Sequence, residues 1–417
     1  MDDKSNDYSQ VPVGLNNCGL RGGLGDAEEL ETIPEVQRVP SMKNCSVCFI
    51  PPAFIMASRF LAAACHVSPF VLSAQKTTRK CVSLIHQAAK NSANLVIFPE
   101  SYIPAFPVWS AMLAPTQNHG FFERMAKESI YIDGEEMRAI RATAKQTGTV
   151  VSVGISEKVR YSTATLFNSN IIIGTDGEIL VHHRKLMPTF FEKLTWSPGD
   201  GFGLRVAETH CGKIGALICG ENTNPLARYS LMAQGEQVHI STWPAMWPTS
   251  VSGPRKESTG EGSSNASPVG KRANYDNVAA NKTRAAAHCF ENKCFGILCT
   301  GHLTESNVAD IAAASSDPSY ISKVMGETSR GATMFLDATG TALPGYIVDS
   351  TSGKKTQKEF LQVEEDILYA EMDLDKAIEG KQYHDVVGGY QRLDVFNLKV
   401  NRSRREPATF VDHDDGA

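Results

Sequence analysis

Lys213-Ile-Gly-Ala-Leu-Ile-Cys-Gly-Glu-Asn-Thr-Asn-Pro225 is the stretch on which the fold class turns. Its apolar run, 214–218, has the length of a buried strand, and Asn224 with Pro225 supplies the cap and first position of a helix. Another apolar run follows at 237–242, so the order is strand, helix, strand, and the class is α/β. Cys219 falls where the strand stops and the chain bends toward the helix, the place where α/β folds put their chemistry.

Working outward, residues 60–72 read as a first strand and 77–91 as a helix with Val82, Ile85, Ala88 and Ala89 at helical spacing. A short strand follows at 94–98. A helix at 134–146 sets Met137, Ile140 and Ala144 on one face and stops at Gly148. Residues 150–155 form the next strand, and Leu166–Ile173 and 178–183 flank Asp176-Gly177 as an antiparallel hairpin. A second hairpin is expected at 210–213, leading into the central strand, and the helix after Asn224 is expected to end near Gly235. Beyond lie a helix at 281–293, a strand at 294–300, a small hairpin of 333–336 with 343–347, and a last strand at 368–372. Residues 1–57 carry no hydrophobic period and read as a flexible leader, 249–271 as a Ser/Gly-rich surface loop, and 403–417 as a disordered tail. Without an internal repeat, 58–402 is taken as one domain.

Composition narrows the function classes. Against 46 Asp+Glu stand 41 Lys+Arg, a formal charge of −5, so the basic excess that neutralises nucleic acid is missing. Ten cysteines are scattered rather than set in a dense framework, which suits reduced thiols in a cytoplasmic protein. Cys45 and Cys48 form a lone CxxC with no second pair to complete a zinc site. Met1-Asp-Asp-Lys4 does not open like a secretory signal. The apolar segment 47–72 carries Arg59, His66, Pro51, Pro52 and Pro69, each costly in hydrocarbon, so no membrane span is expected.

Three segments carry chemistry. In Asn94-Leu-Val-Ile-Phe-Pro-Glu100 an apolar strand delivers a carboxylate at its end, where burial lifts a carboxyl group toward the range of a general base. A solvated strand-end Glu is the plain alternative. In His182-His-Arg-Lys-Leu-Met-Pro-Thr-Phe-Phe-Glu192 a fixed cation is followed seven residues later by a second carboxylate, and a lysine beside a reacting carbon stabilises developing negative charge. A basic surface patch reads the same way. His182 and His183 are neighbours on a strand and face opposite sides, which excludes joint metal binding. In the third segment, Cys219 precedes Gly220, whose missing side chain lets backbone amides approach a reaction centre; taken alone, the thiol is equally a small buried hydrophobe.

Together the segments resemble the nitrilase branch of the carbon-nitrogen hydrolases, whose members carry Glu, Lys and Cys in this chain order. The runs 184–201 and Cys219-Gly-Glu-Asn-Thr-Asn-Pro-Leu-Ala-Arg228 are similar to true nitrilases, and the likeness extends from Ala62 to Arg402, including Tyr383-His-Asp-Val-Val-Gly-Gly-Tyr390. The resemblance implies an αββα sandwich of two mixed β-sheets flanked by helices. It makes Cys219 the nucleophile, Glu100 the general base, Lys185 the stabiliser of the tetrahedral species and Glu192 a second, positioning carboxylate. The implied reaction is hydrolysis of a small nitrile to acid and ammonia, with no metal or organic cofactor, in a homo-oligomer, dimer or spiral. An amidase or hydratase outcome at the same site and a catalytically silent assembling scaffold are the alternatives. Many nitrilases carry Trp directly after the nucleophile where this chain has Gly220. Gly220, Tyr102 and Trp243, with Trp247, are the expected substrate-facing residues, and plain core packing is the alternative for the aromatics.

Overall fold

The computed structural model describes residues 58–249, 276–404 and 406–409. The leader 1–57 with its CxxC, and nearly all of the 249–271 loop, lie outside the described residues.

In chain order the elements are β1 (Arg59–His66), α1 (Ala74–Lys90), β2 (Leu95–Ile97), α2 (His119–Glu128), α3 (Glu135–Thr147), β3 (Val150–Lys158), β4 (Leu166–Ile173), β5 (Ile179–Arg184), β6 (Ala207–Thr209), β7 (Gly212–Ile218), α4 (Pro225–Met232) and β8 (Val238–Trp243). There follow α5 (Asn277–Asn292), β9 (Phe295–Thr300), α6 (Glu305–Ala313), α7 (Pro318–Glu327), β10 (Thr333–Leu336), β11 (Ala342–Leu343), β12 (Gly345–Val348), β13 (Lys355–Lys358), β14 (Phe360–Leu361), β15 (Asp366–Asp373) and α8 (Ile378–Tyr383).

The strands form two mixed sheets. One runs β13-β12-β15-β1-β2-β3-β4-β5 and the other β11-β10-β9-β8-β7-β6, with β14 also on β10. β1, β2 and β3 are mutually parallel, as are β7, β8 and β9, and the flanking strands are antiparallel. Strand alternation builds the layers. Phe60, Ala62 and Ala64 of β1 pack with Ile214, Ala216 and Ile240 between the sheets, while Ala63 and Cys65 turn outward onto Ile85 of α1 and Ile140 of α3. On the far side Leu298 and Trp243 meet Ala285 and Cys289 of α5. This is an αββα sandwich, and burial of the central strands on both faces explains their unbroken apolar runs.

Local details follow the sequence. Asn224 accepts from the amides of Leu226 and Ala227, and Pro225 opens α4. Gly148, Gly177 and Gly212 hold positive φ at the helix end and the two hairpin turns. Several expectations need correction. β1 stops at His66, because Pro69 and the left-handed Leu72 (φ 52) carry the chain into α1. α4 ends at Met232, three residues before Gly235, which instead closes the following turn. The expected strand 343–347 is cut at Pro344: β11 pairs with β10 in one sheet, and β12 pairs with β13 and β15 in the other. Within the 403–417 stretch, Arg404 lies on Phe202, donates to the His182 carbonyl and faces Asp200 at 3.4 Å. No helix among the described residues is long and apolar enough to cross a membrane.

Candidate active site

Four side chains predicted from three distant segments meet at one end of the sandwich. Glu100 follows β2, Lys185 follows β5, Glu192 lies in the turn Phe190–Leu194, and Cys219 follows β7. The Lys185 Nζ lies 2.8 Å from Glu100 Oε1 and 2.8 and 2.7 Å from the two Glu192 oxygens. Ligand atoms of Glu100, Glu192 and Cys219 all lie within 4.8 Å of one another. All four residues are buried, Cys219 the least at 6% exposure.

Backbone geometry aims these groups. Cys219 is a non-glycine residue at φ 52, a left-handed conformation that the surroundings must hold in place. The Asn222 amide does so by donating to the carbonyls of Leu217 and Cys219 at 3.2 and 3.0 Å, and its Oδ1 is anchored by His239 at 2.8 Å. Glu221 ties the Cys219 turn to the Lys185 segment: its carboxylate accepts from the amides of Ile218 and Leu186 and from His183. Lys185 extends the β4–β5 ladder, its amide donating to the Asn168 carbonyl at 2.7 Å, which sets its side chain beside Asn168. The Asn168 amide donates to Glu100 Oε1 at 2.7 Å. Glu192 closes its own turn on the Thr189 amide at 2.8 Å.

Electrostatics follow from burial. Burial pushes Glu100 up to about 7, Lys185 pulls it down and Glu192 pushes it up. Glu192 is raised for the same first reason. Burial opposes the Lys185 charge, but Cys219, Glu100 and Glu192 outweigh it and hold the ammonium well above its usual range. The Cys219 thiol is raised by burial and then by Glu100, while Lys185 and the Gly220 amide favour its ionised form. The sulfur therefore holds its proton, and its transfer to a neighbouring carboxylate would leave the net charge of the cluster unchanged.

Cys219 opens onto a cavity of about 50 Å³, with Gly220, Thr189, Trp243 and Trp247 on its walls. Asn277, Asn281 and Arg284 of α5 complete it. A Cβ on Gly220 would come within 2.8 Å of Thr189 Oγ1, so a larger residue there would displace that wall. Trp247 stacks on Phe191 at 4.3 Å. Glu100, Lys185 and Glu192 lie behind the sulfur rather than on the walls of this cavity, and of the expected substrate-facing residues Tyr102 is not brought to it. Tyr102 stacks on Phe98 in the helix-facing layer and, with Glu100, lines a neighbouring cavity. His182 and His183 part as expected, one to Glu157 and the other to Glu221. Asn168, Glu221, Asn222 and Arg284 were missed. For Asn168 and Asn222 the signal was a polar residue inside or at the end of an apolar run, which a satisfied core amide gives equally.

Comparison with known proteins matches residues 61–382 to the carbon-nitrogen hydrolase family. A nitrilase of Penicillium rubens is 32% identical over 363 residues, 85% of this chain and 97% of that protein. An arylacetonitrilase of Hypocrea virens is 30% identical over 344 residues, 82% and 91% of the two chains. Among solved structures, a carbon-nitrogen hydrolase of Helicobacter pylori superposes with a TM-score of 0.56 at 20% identity, over 81% of this chain and 96% of that one, which supports the fold. With its sheets, helices and sequence in agreement, this chain belongs to the carbon-nitrogen hydrolase family.

Proposed function

We propose that the protein is a nitrilase that converts a small organic nitrile to its carboxylic acid and ammonia. The observation that carries the reading is the buried contact set of Cys219, Glu100, Lys185 and Glu192 beside a small cavity. Glu100 takes the thiol proton as the sulfur adds to the nitrile carbon, and the proton passes to nitrogen, giving a thioimidate. Water then adds, ammonia leaves and a thioester remains. A second water releases the acid and restores the thiol. Lys185 and the Gly220 amide stabilise charge at each tetrahedral stage, and Glu192 orients Lys185.

Purified protein incubated with a panel of small nitriles, with ammonia and amide both measured, tests the reading. Ammonia release that vanishes in Cys219→Ala is expected. Release at the wild-type rate by that variant would sink the assignment. Amide without ammonia would convert the reading to a hydratase, and turnover of amides alone to an amidase.

A homo-oligomer belongs to the same proposal. It is supported by the turn near the C-terminal end, where Leu393, Val395 and Phe396 are 75%, 58% and 73% exposed. Light scattering should give more than one chain per particle, and a monomer would overturn it. A cytosolic location is supported by the free thiols of all the described cysteines and is readable by cell fractionation.

A further inference from the structure

The Cys219 cavity has two chemically different sides. Trp243 and Trp247 form an apolar wall, whereas Asn277, Asn281 and Arg284, spaced four and three residues apart, present one polar face of α5. Among the described residues Arg284 has no carboxylate partner. Its guanidinium lies 5.5 Å from the Trp243 ring centre and reaches Asn281 Oδ1 only at 3.5 Å. The other arginines near the core are engaged: Arg184 is paired with Glu157, and Arg228 makes two 2.9 Å contacts with Glu291. Lys185 is held between Glu100 and Glu192 and so has no charge to spare for a substrate anion.

The cavity is therefore electrically polarised. Beyond the sulfur the Lys185 ammonium is already claimed by Glu100 and Glu192, and the Arg284 guanidinium, with no carboxylate partner among the described residues, makes the α5 wall positive. An anionic group on a substrate would be repelled from Glu100 and Glu192 and drawn to Arg284, leaving its other end at Cys219. A guanidinium offers a planar fork that matches a carboxylate with two parallel hydrogen bonds.

Resting on the nitrilase reading, we propose that Arg284 is a specificity-determining residue that selects short nitriles bearing a carboxylate, with Asn281 beside it as a further donor. The small cavity volume favours a chain of few carbons, and the apolar wall of Trp243 packs against its methylenes. Neutral nitriles lack the charge-assisted hydrogen bonds that a carboxylate makes with this guanidinium.

The test compares 3-cyanopropanoate with the neutral pentanenitrile in wild type, Arg284→Gln and Arg284→Lys. A charge-assisted pair at a partly buried site corresponds to about tenfold or more in binding. The wild-type kcat/KM ratio of acid over neutral nitrile should exceed about tenfold. Arg284→Gln should collapse that ratio mainly through KM for the acid, with Arg284→Lys in between. A ratio near one in the wild type, or one untouched by Arg284→Gln, overturns the proposal. Calorimetric titration of Cys219→Ala with 3-cyanopropanoate, repeated with Arg284→Gln added, reads binding without turnover. Binding lost on removal of Arg284 supports the anion site even if no nitrile is hydrolysed, a result that would count against the nitrilase reading alone. Binding unchanged by Arg284→Gln counts against the anion site alone.

Discussion

The two faces of the β4–β5 ribbon each carry a buried carboxylate with cations, and the two behave in opposite ways. On the outward face Glu157 is met by His182 at 2.7 Å, by Ser169 at 2.6 Å and by Arg184 through two nitrogens. Burial alone would raise this carboxyl group, yet His182 and Arg184 hold it down to about 2. On the inward face Glu100 shares Lys185 with Glu192, its Oε2 has no partner among the described residues, and it rises to about 7. Both carboxylates are buried beside a cation. What differs is the company each keeps: one carboxylate with a guanidinium and further hydrogen-bond donors to itself is a fixed structural anion, and two carboxylates sharing one ammonium make a group that takes up and gives up a proton near neutral pH.

Matched substitutions should break the comparison most sharply. Glu100→Gln removes the proton acceptor and should lower kcat by about 10²- to 10⁴-fold with a modest change in melting temperature, because it relieves carboxylate crowding. Glu157→Gln should do the reverse. It strands the buried Arg184 charge and should cost about 3–5 kcal/mol in denaturant unfolding, while the correctly folded fraction still turns over. If Glu157→Gln abolished turnover without loss of stability, the division of labour between the faces would be wrong.

A smaller effect sharpens the same contrast through pH. The proposed base role requires Glu100 ionised, so kcat/KM should rise with pH through about 7. Its folded-state value lies above its unfolded one, so its contribution to stability is complete below about pH 4.3 and declines as pH rises through about 7. Glu157 has the opposite sign: its contribution is present above about pH 4.3 and is lost as pH falls toward about 2. An activity profile flat between pH 5 and 9 would remove Glu100 from the base role.

The sequence shows the strand ends well because strands buried on both faces are written as apolar runs, and a charged residue at the end of one stands out. Glu100 stands out that way, whereas Lys185 and Cys219, each equally readable alone as surface patch or buried hydrophobe, are singled out by the ordered set of three segments and its family resemblance. Tyr102 looked close to the site only along the chain. It lies in the turn after β2, past the left-handed Ser101 (φ 45), and its ring stacks on Phe98 toward the helices, a direction that a position two residues after Glu100 does not reveal. Helices α2, α6 and α7 went unread because they are short and bury few apolar residues, although Thr304 and Asn307 form a capping pair and Asp317-Pro318 opens a helix. Arg284 was invisible for a different reason. On a helix whose apolar face is already satisfied, a lone arginine reads as solvated surface, and only the fold brings Cys219 opposite it.

The ladder between β4 and β5 shifts register between Ile172 and Ile173, on the turn side of the paired residues Ser169 and Arg184. That single irregularity sets the phase of His182, His183, Arg184 and Lys185. Deleting one residue from this hairpin would put Lys185 where Arg184 meets Glu157 and Leu186 where Lys185 meets Glu100, leaving the thiol without its neighbouring ammonium. The wiring of the reactive centre thus depends on an odd-or-even count made some ten residues away, where no side chain touches substrate.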